Sequence, residues 1–145
     1  MQVAYVYPAS RFEPAAVPDL SSRQARERLS ESALKGFFNL ARAWSLRDEE
    51  ACALLGGISS SAYYEWKKKP DRLLEVDRIT RISYLLGIYK ALHILYGDDL
   101  ADRWIKLPNR NVIFSGRTPL DYMQDGGLIA MQTVRNLLDA RRGGV

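Results

Sequence analysis

Few residues in this chain could make or break a covalent bond, and none sits beside the partner it would need. The single cysteine, Cys52, falls on the inward face of a helical pattern and reads as an inert small hydrophobe. The single histidine, His93, lies in an apolar helical run with no second His or Cys near it in sequence. That placement fits a packed or hydrogen-bonded residue better than a ligand or general base. Asp98, Asp99 and Asp102 imitate a metal cluster, but carboxylates in the first turn of a helix are favoured by its dipole alone. Ser115, Gly116 and Arg117 come nearest to an active loop, without a His or paired acid to complete it. No nucleophile motif, phosphate-binding glycine loop or zinc-protease helix is present, so no catalytic residue, metal or cofactor is assigned and the chain reads as a non-enzyme.

The remaining chemistry is recognition, and two clusters could do it. Ser59, Ser60, Ser61, Tyr63, Tyr64, Lys67 and Lys68 share one short stretch. Hydroxyls and amides near a helix start can meet phosphates or base edges, and lysines further along neutralise phosphates. A solvated, lysine-rich helix end that merely suits the dipole is the plainer alternative. Trp66 is expected in the core beneath them. The second cluster is the stretch from Asn109 to Gly144, with Arg117 near its start and Arg141 and Arg142 near its end. Arginines on a defined loop without catalytic companions suit a protein partner.

The elements that position these clusters follow from apolar spacing and caps. Residues 1–20 carry Pro8, Pro14 and Pro18 and no sustained helical period, so a poorly ordered tail is expected, with a short strand over Val3 to Tyr7. From Ser22 the pattern turns helical, divided at Ser30 and Ser32, and Leu34, Phe37, Phe38, Leu40, Ala41 and Trp44 form one apolar face. Ser45 and Asp48 have capping-box spacing for a helix that stops at Gly56; Ser59 caps the next, with Ile58 stapled to Tyr63, and Pro70 ends it. Helix, glycine turn and short capped helix in that order read as a helix-turn-helix. Val76 to Tyr96 reads as the longest helix. Its second half is apolar on nearly every side, and Leu85, Ile88, Tyr89 and Leu92 are therefore assigned to a homodimer interface. Asp98 opens a helix through Trp104, and an irregular loop follows to Gly116. Thr118, Pro119 and Asp121 then start a helix that Gly126 and Gly127 divide into a hairpin, with Arg141 and Arg142 at its negative end and Gly143 beyond.

The 145 residues suit one domain or two small ones, and 47% hydrophobic content provides a core. The net charge of +4 is uneven: residues 34–70 carry +2, 71–105 carry −1 and 106–145 carry +3. Basic ends raise the odds of a polyanionic partner. One cysteine excludes an internal disulfide and points to a reducing, cytoplasmic setting. No signal peptide is expected from the apolar but uncharged start, and the run from Ile82 to Tyr96, interrupted by Lys90 and His93, is too short to span a membrane.

Taken in order, Trp44 with the following Leu and acidic stretch, LLGGISSSAYYEWKKKP, DRITRISYLLGIYKALHILYGD, Trp104, LPN, FSGRTPLDYMQDGG and VRNLLDARRGG resemble the blocks of the Xre/MbcA/ParS-type antitoxins, partners of RES-domain toxins. The resemblance runs from about Leu34 to Gly144. It implies an all-α protein: an Xre-like helix-turn-helix over 34–75, then, over 76–145, a long central helix and a small C-terminal helical toxin-binding domain. Residues 1–33 would be an extension, poorly ordered or partly helical. It further implies an antitoxin that covers the active-site entrance of an NAD-degrading RES toxin and represses its own promoter as a homodimer within a larger toxin-antitoxin complex. Operator DNA would meet Ser59, Ser60, Ser61, Tyr63, Tyr64, Lys67 and Lys68. The toxin would meet Asn109, Phe114, Arg117, Thr118, Arg141, Arg142, Gly143, Gly144 and Val145. Where family members carry a glycine pair before the key arginine, this chain has Ser115 and Gly116, which reduces freedom at Ser115. A helix-turn-helix regulator without a toxin partner is the competing reading.

Overall fold

A computed structural model describes residues 21–143, in which the apolar spacing becomes six helices. These are α1 (Arg23–Ala43), α2 (Asp48–Leu54), α3 (Ser60–Lys68), α4 (Val76–Leu95), α5 (Asp98–Arg103) and α6 (Pro119–Arg142), with one 3₁₀ turn (Trp104–Lys106) after α5. The chain is all-α over these residues. The tail expected over 1–20, with its strand over Val3 to Tyr7, lies outside the described residues, as do Gly144 and Val145.

Helix α4 is the element everything else packs on. Ile79, Ile82, Leu85, Ile88, Ala91 and Leu92 are all buried along it, which takes them around most of its circumference. Helix α1 supplies Leu34, Phe37, Leu40 and Trp44 on one side of the shared core, and α6 supplies Met123, Met131, Val134 and Leu138. This overturns the dimer assignment of Leu85, Ile88 and Leu92. All three have no exposed surface, because α1 and α6 of the same chain already cover the apolar half of α4. Tyr89 is half-buried and is held by tilted ring contacts to His93 at 4.3 Å and Trp44 at 6.4 Å. One core serves both halves of the chain.

Helix α1 runs unbroken where a division at Ser30 and Ser32 was expected. Ser30 is buried, and its hydroxyl donates to the Arg26 carbonyl at 2.6 Å while accepting from the Leu74 amide at 2.9 Å. A serine that reads as a break thus ties α1 to the connector before α4. Ser30→Ala leaves the Leu74 N–H buried without its acceptor and is expected to cost about 1–3 kcal/mol, measured as a fall in the urea midpoint with little change in m.

The start of α2 also differs from expectation. Arg47, not Ser45, is the N-cap, and its amide donates to Glu50 Oε1 at 2.8 Å. Burial pushes the Glu50 carboxyl up, but the hydrogen bonds from the Arg47 amide and guanidinium outweigh it and hold the group below its ordinary value. Ser45 instead adopts left-handed backbone at φ 50, and its carbonyl accepts from Lys106 Nζ at 2.5 Å. In α6, Thr118 caps as expected, accepting from the Asp121 amide at 3.0 Å with Pro119 in the first turn. The division at the glycine pair falls on Gly127, at φ 63 and ψ −142, as a kink inside one helical element. Only glycine adopts that backbone readily.

Candidate functional site

The turn between α2 and α3 is made by Gly56 at φ 103 and Gly57 at φ 86, with the Gly57 amide donating to the Cys52 carbonyl at 2.9 Å. Ser59 caps α3, accepting from the Ala62 amide at 3.1 Å, while Ser60 and Ser61 stand exposed in its first turn. Lys67 and Lys68 are exposed in its last turn. Tyr64 is 52% exposed, and its hydroxyl donates to Asp48 Oδ2 at 2.7 Å, fastening α3 to the start of α2. Tyr63 is not available to DNA. It is 2% exposed, lies edge-on to Phe38 at 5.6 Å, and its hydroxyl is pushed up to about 12, chiefly by burial. The staple position opposite Ile58 and the DNA contact were incompatible uses of one side chain, and the core takes it. Trp66 is displaced the other way: it is half-buried at the edge of the core rather than inside it.

The second cluster separates into anchors and exposed groups. Phe114, assigned to toxin contact, has no exposed surface; it stands edge-on to Trp104 at 6.0 Å and to Tyr122 at 5.3 Å. It pins the loop to the core. Around it Asn109 Oδ1 accepts from the Asn111 amide at 2.9 Å, Asn111 Oδ1 from the Ile113 amide at 3.1 Å, and the Asn109 amide donates to the Arg117 carbonyl at 3.1 Å. Asn109 is therefore half-buried and spent on local turns. Ser115 holds φ 51 and Gly116 φ 82, so the loop carries a left-handed serine where glycine would be unstrained.

Arg117 is exposed at the mouth of α6, donating to the Asp121 carbonyl at 3.1 Å and pairing with Asp125. Arg141 is half-buried and donates to the Tyr96 hydroxyl at 3.2 Å; Arg142 lies 3.8 Å from Asp139 Oδ1. The arginines expected to await a partner thus have partners within the chain. An exposed pair of this kind is weak and exchangeable. Thr118 is a half-buried cap, and Gly143 is exposed at the end of α6 with its amide on the Asp139 carbonyl at 3.0 Å. Two apolar side chains were missed: Val112 in the loop is 85% exposed and Ile129 just past the kink is 77% exposed. Ile129 was legible, since it falls off the stripe formed by Leu128, Met131, Val134 and Leu138.

His93 is hydrogen-bonded, as its isolation suggested: Nδ1 lies 2.9 Å from Asp98 Oδ1 and Nε2 lies 2.8 Å from Asp102 Oδ1. The three groups tie α4 to α5. Among the described residues no group of His, Cys, Asp and Glu could hold a metal ion, and no helix is long and apolar enough to cross a membrane.

Residues 22–87 match the family model of the antitoxin Xre-like helix-turn-helix domain, and residues 91–144 match that of the antitoxin Xre/MbcA/ParS C-terminal toxin-binding domain. The uncharacterized protein y4oB of Sinorhizobium fredii is 39% identical over 112 residues, covering 77% of this chain and 84% of that protein. The chain belongs to the Xre-type antitoxins. Residues 22–33, which the sequence resemblance left outside, fall within the helix-turn-helix match, in line with α1 starting at Arg23. The seam between the two matches falls within α4, so in this antitoxin one helix belongs to the DNA-binding part and the toxin-binding part alike.

Proposed function

We propose that this antitoxin neutralises a RES-domain, NAD-degrading toxin by laying its C-terminal region over the toxin's active-site entrance, and that it represses its own operon as a homodimer. One observation carries the first part: the toxin-binding match over 91–144 contains a loop pinned by Phe114 on which Val112 and Arg117 are exposed, and Ile129 is exposed further along α6. An exposed guanidinium and exposed apolar side chains in one toxin-binding segment suit a protein partner, and Arg117 can exchange Asp125 for an acid in the toxin pocket. The dimer is proposed because helix-turn-helix proteins bind paired half-sites as dimers. Its interface excludes Leu85, Ile88 and Leu92, which the core consumes.

Co-expression with the adjacent reading frame tests the main claim: a stable complex that restores growth is expected, and a regulator that purifies alone would favour the competing reading without a toxin. For the DNA side, Lys67→Ala with Lys68→Ala is expected to weaken binding across sequences and to reduce the slope of log K against log salt by about two. Fluorescence anisotropy at several salt concentrations reads it, and an unchanged slope removes both lysines from the interface.

A further inference from the structure

We propose that Trp66, Arg72 and Arg78 form a clamp for a DNA phosphate beside the end of α3, extending the interface past the lysine run onto the connector and the start of α4. The proposal rests on the DNA-binding reading of α3. It begins with what the three aromatic side chains of that helix hold. Lys67 Nζ lies 4.8 Å from the Tyr63 ring centre and 5.9 Å from that of Tyr64. The Arg72 and Arg78 guanidinium carbons lie 5.4 Å and 5.5 Å from the centre of the Trp66 ring. Three cations from three separate parts of the chain are thus gathered on rings of one nine-residue helix.

Two guanidinium groups on one indole repel each other, and the fold nevertheless holds both. Arg72 is fastened by its Nε donating to the Lys69 carbonyl at 3.3 Å. Among the described residues, Arg78 is 21% exposed at its side chain, its Nε is buried without a hydrogen-bond partner, and its ion pair to Glu75 is long at 3.5 Å. An apolar residue would pack against Trp66 without that buried donor. What the guanidinium adds is charge and terminal N–H groups that can donate to phosphate oxygens. Arg78 itself stands in the first turn of α4, where the helix dipole adds potential of the same sign.

The opposing charges are Glu75 on Arg78, the exposed Asp71 of the connector and Glu65 of α3, while Asp77 is engaged with Arg81 at 2.8 Å. Lys67, Lys68, Lys69, Arg72 and Arg78 outnumber the three remaining acids, which leaves the patch cationic. Because phosphates carry no sequence information, this clamp sets affinity and docking angle rather than operator choice.

The test uses the full chain with two short duplexes, one of random sequence and one from upstream of its own gene. Arg72→Gln and Arg78→Gln are each expected to lower the salt slope by about one on both duplexes. Trp66→Leu keeps every charge but removes the platform, and is expected to weaken binding by about threefold to tenfold at low salt. Unfolding midpoints are taken for each variant; should Trp66→Leu fail to fold, the two arginine variants decide. Slopes equal to wild type in both would overturn the clamp. A Lys67→Ala, Lys68→Ala protein with a reduced slope beside unchanged arginine variants would overturn the clamp and leave the DNA reading standing. Wild-type protein that binds neither duplex would overturn both.

Discussion

Truncation after Ala140 is expected to abolish protection against the cognate toxin while leaving the fold in place. The last core side chain of α6 is Leu138, which has no exposed surface and stays in the truncated protein. Beyond it the described contacts are few: Arg141 to the Tyr96 hydroxyl, Arg142 near Asp139, and the Gly143 amide on the Asp139 carbonyl. The Arg141 bond is part-buried and the other two lie at the surface, all at a helix end that frays readily, so the unfolding midpoint should move little. Under the proposed capping of the toxin, the same residues enter the active-site mouth, where their loss removes the inhibitory contact outright. A growth assay with the toxin induced reads the outcome, and circular dichroism of the truncated protein reads the fold. Full protection by the truncated protein sinks the C-terminal capping mechanism, and attention would then pass to Arg117, Val112 and Ile129.

Leu85→Ala is expected to destabilise the antitoxin by about 2–5 kcal/mol, a large fraction of the total of about 5–15 kcal/mol available to a domain of this size. Leu85 sits in the buried stripe of α4, within the core that α1 and α6 share. Removing it opens a cavity that rigid neighbours fill only in part. Urea denaturation at two protein concentrations distinguishes this from the role that the sequence suggested. A core residue gives the same loss at both concentrations, whereas a dimer contact gives a loss that depends on concentration. Leu85→Met, which keeps the volume, should cost less than about 1.5 kcal/mol. Both DNA binding and toxin neutralisation are expected to fall together in Leu85→Ala, because the seam between the two family matches lies in α4.

What the sequence determined by itself was local. Ser59 and Thr118 are caps, Gly56 turns the chain, Pro70 follows the end of α3, and Gly127 breaks α6, because each depends on the chemistry of a few consecutive residues. The order of helices followed from the same short-range signals, while the resemblance to a known family rested on blocks of residues taken in order. Sequence also placed the exposed Ser60, Ser61, Lys67, Lys68 and Arg117 correctly on the surface.

Tertiary structure alone decided which way the ambiguous side chains face. An apolar half-helix such as Leu85 to Leu92 looks the same whether a neighbour in the chain or a second copy covers it, and α6, far away in sequence, is what covers it here. Phe114 reads as an exposed aromatic on a loop until Trp104 and Tyr122 are found on either side of it. Ser30 reads as a helix breaker until the Leu74 amide, brought back by the fold, completes its hydrogen bonds. Tyr63 could serve either DNA or the core, and Phe38 on α1 settles the matter. In each case the deciding partner is distant in sequence, and burial is a property of that pairing rather than of the residue.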